Sequence, residues 1–120
     1  MNIIIFEQNK VFRESLKTAL DQIQDFNIFF DAESDNCPET IYKEDIQLII
    51  LDSCLGKNKC HEIITKAVNN WPAVKLLFMI NYKEEINNSF NNVDYIFKPS
   101  TKKEFEDKIR ALQLNEKVNF

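Results

Sequence analysis

The stretch Ile46-Gln47-Leu48-Ile49-Ile50-Leu51-Asp52-Ser53 decides the reading of the fold. Leu48 to Leu51 are large apolar residues in unbroken succession, the mark of a strand covered on both faces, as in the middle of a parallel sheet. Asp52 stands where that strand leaves the core. In open α/β sheets ligands collect outside the carboxyl ends of the strands, so an acid there is placed for chemistry. A plainer part is also open to it: Asp is a common turn residue, and Gly56 follows shortly. The rest of the chain has to weigh the two.

Upstream, Asn2-Ile3-Ile4-Ile5-Phe6 is a second apolar run and predicts the first strand. Val11, Phe12, Ser15, Leu16, Ala19, Leu20 and Ile23 then recur at helical spacing, predicting a helix from about Lys10 to Gln24. Asn27 to Phe30 reads as a short strand, 31–38 as polar turn, and Pro38 to Lys43 as a short helix opened by proline. Downstream, Cys60, Ile63, Ile64, Ala67 and Val68 form the stripe of a helix stopped before Trp71-Pro72, and Val74 to Ile80 is another buried strand. Lys83 to Phe90 holds at most two helical turns, weakened by Asn87 and Asn88, with Asn91-Asn92 as a left-handed cap. Asp94-Tyr95-Ile96-Phe97 is the last strand, closed by Lys98-Pro99. Thr101 and Glu104 form a capping box for a final helix with Phe105, Ile109 and Leu112 on its inner face, ending near Gln113.

The totals fit one soluble domain spanning 1–120, with 114–120 as a tail or the start of a linker. The chain has 120 residues, of which 44% are hydrophobic and 28% charged, enough for a core without disulfides or metal. Its net charge of -4 argues against gripping nucleic acid or an anionic membrane by bulk electrostatics. The N-terminal apolar run is too short for a signal peptide or a membrane span, so the expected location is the cytoplasm. Cys37, Cys54 and Cys60 lack Cys-x-x-Cys spacing and read as reduced thiols. A zinc site from Cys54, Cys60 and His61 is disfavoured, because adjacent helical residues point about 100° apart.

Five strand-then-helix units in this length require parallel pairing through right-handed crossovers, hence an α/β, doubly wound (βα)5 sheet of flavodoxin-like type with helices on both faces. With strand order 2-1-3-4-5, the first and third strands end at the topological switch point. Glu7 and Gln8 then lie beside Asp52, and Lys98 reaches over the site from the fifth strand. A mononucleotide binder of the same fold is disfavoured by the lack of a glycine-rich phosphate loop.

Over nearly its whole length the chain resembles the receiver domain of two-component response regulators (CheY-like). The resemblance rests on Ile3-Ile4-Ile5-Phe6-Glu7-Gln8-Asn9 with Phe12-Arg13-Glu14, on Leu48-Ile49-Ile50-Leu51-Asp52, and on Asp94-Tyr95-Ile96-Phe97-Lys98-Pro99. It implies that Asp52 accepts a phosphoryl group from a histidine kinase. It further implies Mg²⁺ held by Asp52, the acids after the first strand and the backbone carbonyl of Cys54, with Lys98 pairing the phosphoryl oxygens. A hydroxyl at the end of the fourth strand and a rotamer change at Tyr95 complete the implied switch.

Two departures follow from that alignment. The acid pair is Glu7-Gln8, and losing one carboxylate beside a cation costs about 2 to 4 kcal/mol at an effective dielectric near 20. The hydroxyl position is assigned to Ile80, which has nothing to donate; Asn81 follows, but successive strand residues face opposite sides. The expected function is thus signal transduction by a receiver domain with a degraded Mg²⁺ and phosphoryl switch, working through protein contacts. The alternative is a conventional receiver phosphorylated on Asp52. On either reading the chain is no enzyme beyond self-catalysed phosphoryl acceptance. Expected partners are a histidine kinase or other signalling protein and an output domain or target protein, with a homodimer through the fourth helix, fifth strand and last helix as a further option.

Overall fold

The computed structural model describes residues 1–31, 44–81, 94–98 and 100–118, side chains being left out at 30, 31 and 114–118. Strands β1 (Asn2–Phe6), β2 (Asn27–Asp31), β3 (Leu48–Asp52), β4 (Lys75–Ile80) and β5 (Asp94–Phe97) form one sheet in the order β2-β1-β3-β4-β5, with every pairing parallel. Three described helices, α1 (Lys10–Asp21), α2 (Lys57–Asn70) and α3 (Lys102–Val118), connect or follow them. The doubly wound, flavodoxin-like sheet expected from the sequence is therefore present. The short helices expected at Pro38 to Lys43 and Lys83 to Phe90, and the Asn91-Asn92 cap, lie outside the described residues.

Alternation along the strands sorts the core into two layers. Ile3, Ile5, Leu48, Ile50, Leu77, Met79 and Ile96 pack with α1 and α3 through Leu16, Leu20, Phe105, Ile109 and Leu112. Ile4, Phe6, Ile49, Leu51, Phe78 and Ile80 pack with α2 through Cys60, Ile63 and Ala67. Every residue of β3 is buried, as its unbroken apolar run required.

Helix boundaries follow local chemistry. Asn9 caps α1, its side-chain oxygen accepting the Phe12 N–H at 2.9 Å. Helix α1 ends at Asp21, short of the expected Gln24, yet Ile23 stays in the core because the chain turns there through an Ile23 N–H bond to the Leu20 carbonyl. Gly56, at φ 95, turns the chain into α2, which starts at Lys57, ahead of its apolar stripe. The capping box of α3 forms both ways, with Thr101 N–H bonded to Glu104 Oε1 at 2.9 Å and Glu104 N–H to Thr101 Oγ1 at 3.1 Å.

Two expectations about the helices need correction. Helix α3 runs to Val118, past the expected end near Gln113, because nothing from Leu114 onward breaks a helix even though the apolar stripe has ended. Val11 and Val68 are 77% and 42% exposed. Both sit at the margin of their stripes, where the sheet no longer covers the helix. Arg13, charged and outside the apolar stripe, is nonetheless buried.

Candidate functional site

Parallel pairing brings the carboxyl ends of all five strands to one rim, and alternation decides which side chains meet there. Glu7 continues the face of Ile3 and Ile5, Asp52 that of Leu48 and Ile50, and Lys98 that of Ile96. Phe6 is paired with Leu51, so Glu7 and Asp52 leave the sheet side by side. Lys98 is tied in by its N–H, which donates to the Ile80 carbonyl at 2.9 Å.

These three side chains converge. Lys98 Nζ lies 3.0 Å from Glu7 Oε2 and 3.2 Å from Asp52 Oδ2. The remaining carboxylate oxygens accept backbone N–H groups: Glu7 Oε1 from Asn9 at 2.9 Å and Asp52 Oδ1 from Cys54 at 3.1 Å. Glu7 and Asp52 are each only 2% exposed. Glu7 Oε2 takes no hydrogen bond of good geometry, so the ammonium's charge is what compensates it. Phe12 covers the same ammonium, with its ring centroid 5.0 Å from Nζ.

The electrostatics follow from this packing. Burial pushes the Glu7 carboxyl up, the Asn9 N–H and Lys98 pull it back, and the neighbouring Asp52 charge raises it again, leaving it above its ordinary value. Burial alone would lower the Lys98 ammonium; its contacts with Glu7 and Asp52 outweigh that and set it above its ordinary value. Cys60, whose thiol lies 3.7 Å from the Asp52 carbonyl, is pushed up to about 11 by burial first, then by the charges of Asp52 and Cys54.

The other expected site residues are distributed less favourably. Gln8 is exposed. Tyr95 is half-buried and stacked on Phe78 at 6.0 Å between centroids, on the α2 side of the sheet. Ile80 does not join the site: it is 1% exposed and packs in the α2 layer, away from Glu7 and Asp52. Asn81 falls on the Leu77 and Met79 face, stands exposed at the rim, and its Nδ2 donates to Cys54 Sγ at 3.1 Å. Arg13 is the other member that sequence reading missed; its Nη1 donates to the Glu7 carbonyl at 3.1 Å from a buried position.

The donor set does not fit a tightly held Mg²⁺. That ion prefers several anionic oxygens in near-octahedral order. Among the described residues no three His, Cys, Asp or Glu side chains come together. The two carboxylates that do meet already share an ammonium, and the neutral Gln8 amide is turned outward.

No protein-family model matches the sequence, and no curated protein matches it. Solved structures do match. Their class is that of response regulator receiver domains, whose fold this chain shares. A CheY-like receiver domain protein from Methanospirillum hungatei JF-1 superposes with a TM-score of 0.79 at 22% identity, over 99% of this chain and 98% of that one. A two-component transcriptional regulator AraC from Clostridium phytofermentans ISDg gives 0.75 at 18% identity, with 98% of both chains covered. A response regulator from Thermotoga maritima gives 0.69 at 22%, over 92% of this chain and 94% of that one. At these identities the likeness is one of fold. Among the described residues no helix is long and apolar enough to cross a membrane.

Proposed function

We propose that the chain is a single receiver-type signalling domain whose Mg²⁺ and phosphoryl switch is degraded and which works chiefly through protein contacts. The observation that carries this reading is the convergence of Glu7, Asp52 and Lys98 at the rim of a receiver fold, with both carboxylates committed to the lysine. A carboxylate is the nucleophile such a domain needs, and an ammonium meets the charge of a transferred phosphoryl group. What is short is metal ligation, since Gln8 brings no charge. No chemistry beyond acceptance of a phosphoryl group on Asp52 is assigned to the domain.

Its contacts fall to a histidine kinase or other signalling protein and to an output domain or target protein. An open groove of about 450 Å³ between β5 and α3, lined by Tyr95, Phe97, Ser100, Glu104, Lys108 and Ala111, suits such a contact. Phe97 is 40% exposed there, an aromatic ready for burial. A homodimer on this face is checked by sedimentation of the intact chain and of Phe97→Glu.

A second reading, the conventional receiver phosphorylated on Asp52, gains from Asn81. Its amide N–H groups at the rim offer phosphoryl oxygens a donor that Ile80 lacks. Incubation with a small-molecule phosphodonor and Mg²⁺, followed by intact-mass analysis, separates the two. The degraded reading expects no gain; a stable gain of one phosphoryl group in wild type and not in Asp52→Asn establishes the second.

A further inference from the structure

We infer that the Lys98 ammonium is the resident cation of this site, standing where a divalent ion would otherwise bind and closing the carboxylate pair to metal. The inference deepens the degraded-switch reading and rests on it. Three observations carry it. Lys98 Nζ bridges one oxygen of each carboxylate, 3.0 Å from Glu7 and 3.2 Å from Asp52, and the other oxygen of each is held by a backbone N–H. Every carboxylate oxygen therefore already faces a donor or a cation. Glu7 and Asp52 meet the lysine in the same way, each turning its other oxygen back to the N–H two residues on.

Charge balance is the second observation. Two buried carboxylates, Glu7 and Asp52, share the one ammonium of Lys98. A divalent ion entering while Lys98 stays turns this buried group from a net charge of -1 to one of +1 and stands directly beside the ammonium. Departure is opposed by the third observation, the Phe12 ring 5.0 Å from the ammonium, which offers it a favourable π face. Lys98 is also pinned at its own backbone by the bond to the Ile80 carbonyl.

The test is a titration of the full chain with Mn²⁺ at neutral pH, reading the free ion by electron paramagnetic resonance. Wild type and Lys98→Arg are expected to show no saturable site up to the millimolar range. Lys98→Met is expected to gain one site, tighter than anything in wild type by on the order of a hundredfold, since removing a unit charge a few ångströms from a divalent ion relieves a large repulsion. Adding Asp52→Asn to that variant is expected to abolish the new site. Saturable, Asp52-dependent binding in wild type overturns the inference, and so does a folded Lys98→Met protein that gains nothing. Should Lys98→Met fail to fold, Mg²⁺ titration of wild type observed at the Lys98 side-chain resonances decides: no change supports the inference, and a saturable shift overturns it. Phosphoryl uptake on Asp52 without Mn²⁺ binding overturns the degraded-switch reading alone. Mn²⁺ binding without phosphoryl uptake overturns this inference alone.

Discussion

Replacing Lys98 by methionine keeps the aliphatic stem and deletes the charge that holds Glu7 and Asp52 together. With contacts of 3.0 and 3.2 Å, each ion pair has a gross attraction of about 5 kcal/mol at an effective dielectric near 20. Desolvation of the ammonium and repulsion between the carboxylates offset much of that. Removing one partner of a buried pair still costs about 3 to 5 kcal/mol, because the charge left behind has no compensation. Lys98 keeps 16% of its side chain exposed, so water screens part of the loss and the expected destabilisation is about 3 kcal/mol. The assay is urea unfolding followed by Trp71 fluorescence, since Trp71 is buried with its indole N–H bonded to the Glu44 carbonyl at 2.7 Å. The pH dependence has a definite sign. Glu7 already sits above 4.5 through burial, and losing Lys98 raises it further. A carboxyl raised in the folded state contributes stability that is full below its unfolded value and lost as pH rises through its folded value. The deficit of the variant is therefore largest at neutral pH and shrinks toward pH 4.5. A loss under about 1 kcal/mol, or one that is the same at both pH values, refutes the claim that these three charges form one buried unit.

Lys98 of the wild type, raised above 10.5, contributes stability that is full below 10.5 and lost as pH climbs through the higher folded value; alkaline unfolding curves of wild type and Lys98→Met should converge there. Arg13→Met leaves the Glu7 carbonyl without its guanidinium donor and is expected to cost about 1 to 3 kcal/mol by urea unfolding; a neutral result would show that this buried charge positions nothing. Ile109→Ala, at a fully buried position in the α1 and α3 layer, is expected to cost about 2 to 5 kcal/mol in the same assay, several times more than an alanine at exposed Val11. In a Cys37→Ser background, a thiol reagent at mildly alkaline pH should label exposed Cys54 quickly and Cys60 only on unfolding, because Cys60 is 2% exposed and its thiol is pushed up to about 11. Rapid labelling of both in the native state would contradict that burial.

Much of the fold was legible because strand burial writes itself as unbroken apolar runs and helix entry as a capping box. Asn2 to Phe6, Leu48 to Asp52 and Asp94 to Phe97 are found where those runs lie, and Thr101 and Glu104 bond as their spacing implies. Arg13 was not legible, since its burial depends on the main-chain carbonyl of Glu7 standing across from it, and a carbonyl's direction leaves no trace in residue identity. The end of α3 was misjudged for a related reason: an apolar stripe reports where a helix is covered, whereas backbone bonding carries it on to Val118.

Ile80 packs away from Glu7 and Asp52 for a reason that sequence alone contains. Ile80 is the last apolar residue of β4, but alternation ranks positions by parity and not by polarity. Glu7 shares parity with Ile5, Asp52 with Ile50 and Lys98 with Ile96, all in the layer beneath α1 and α3. In β4 that layer holds Leu77 and Met79, so the residue that continues it is Asn81, while Ile80 belongs with Phe78 in the opposite layer. The rim then carries two acids, one ammonium and one amide, and under the proposed receiver function the two departures differ in kind. Asn81 exchanges a hydroxyl donor for an amide donor and leaves hydrogen bonding to an anion feasible. On that reading Gln8 brings a neutral amide where an acid is expected, while Lys98 supplies a positive charge to Glu7 and Asp52. Under the proposed function the loss falls on cation binding, which is why metal titration, more than any single substitution at Asn81, tests that proposal.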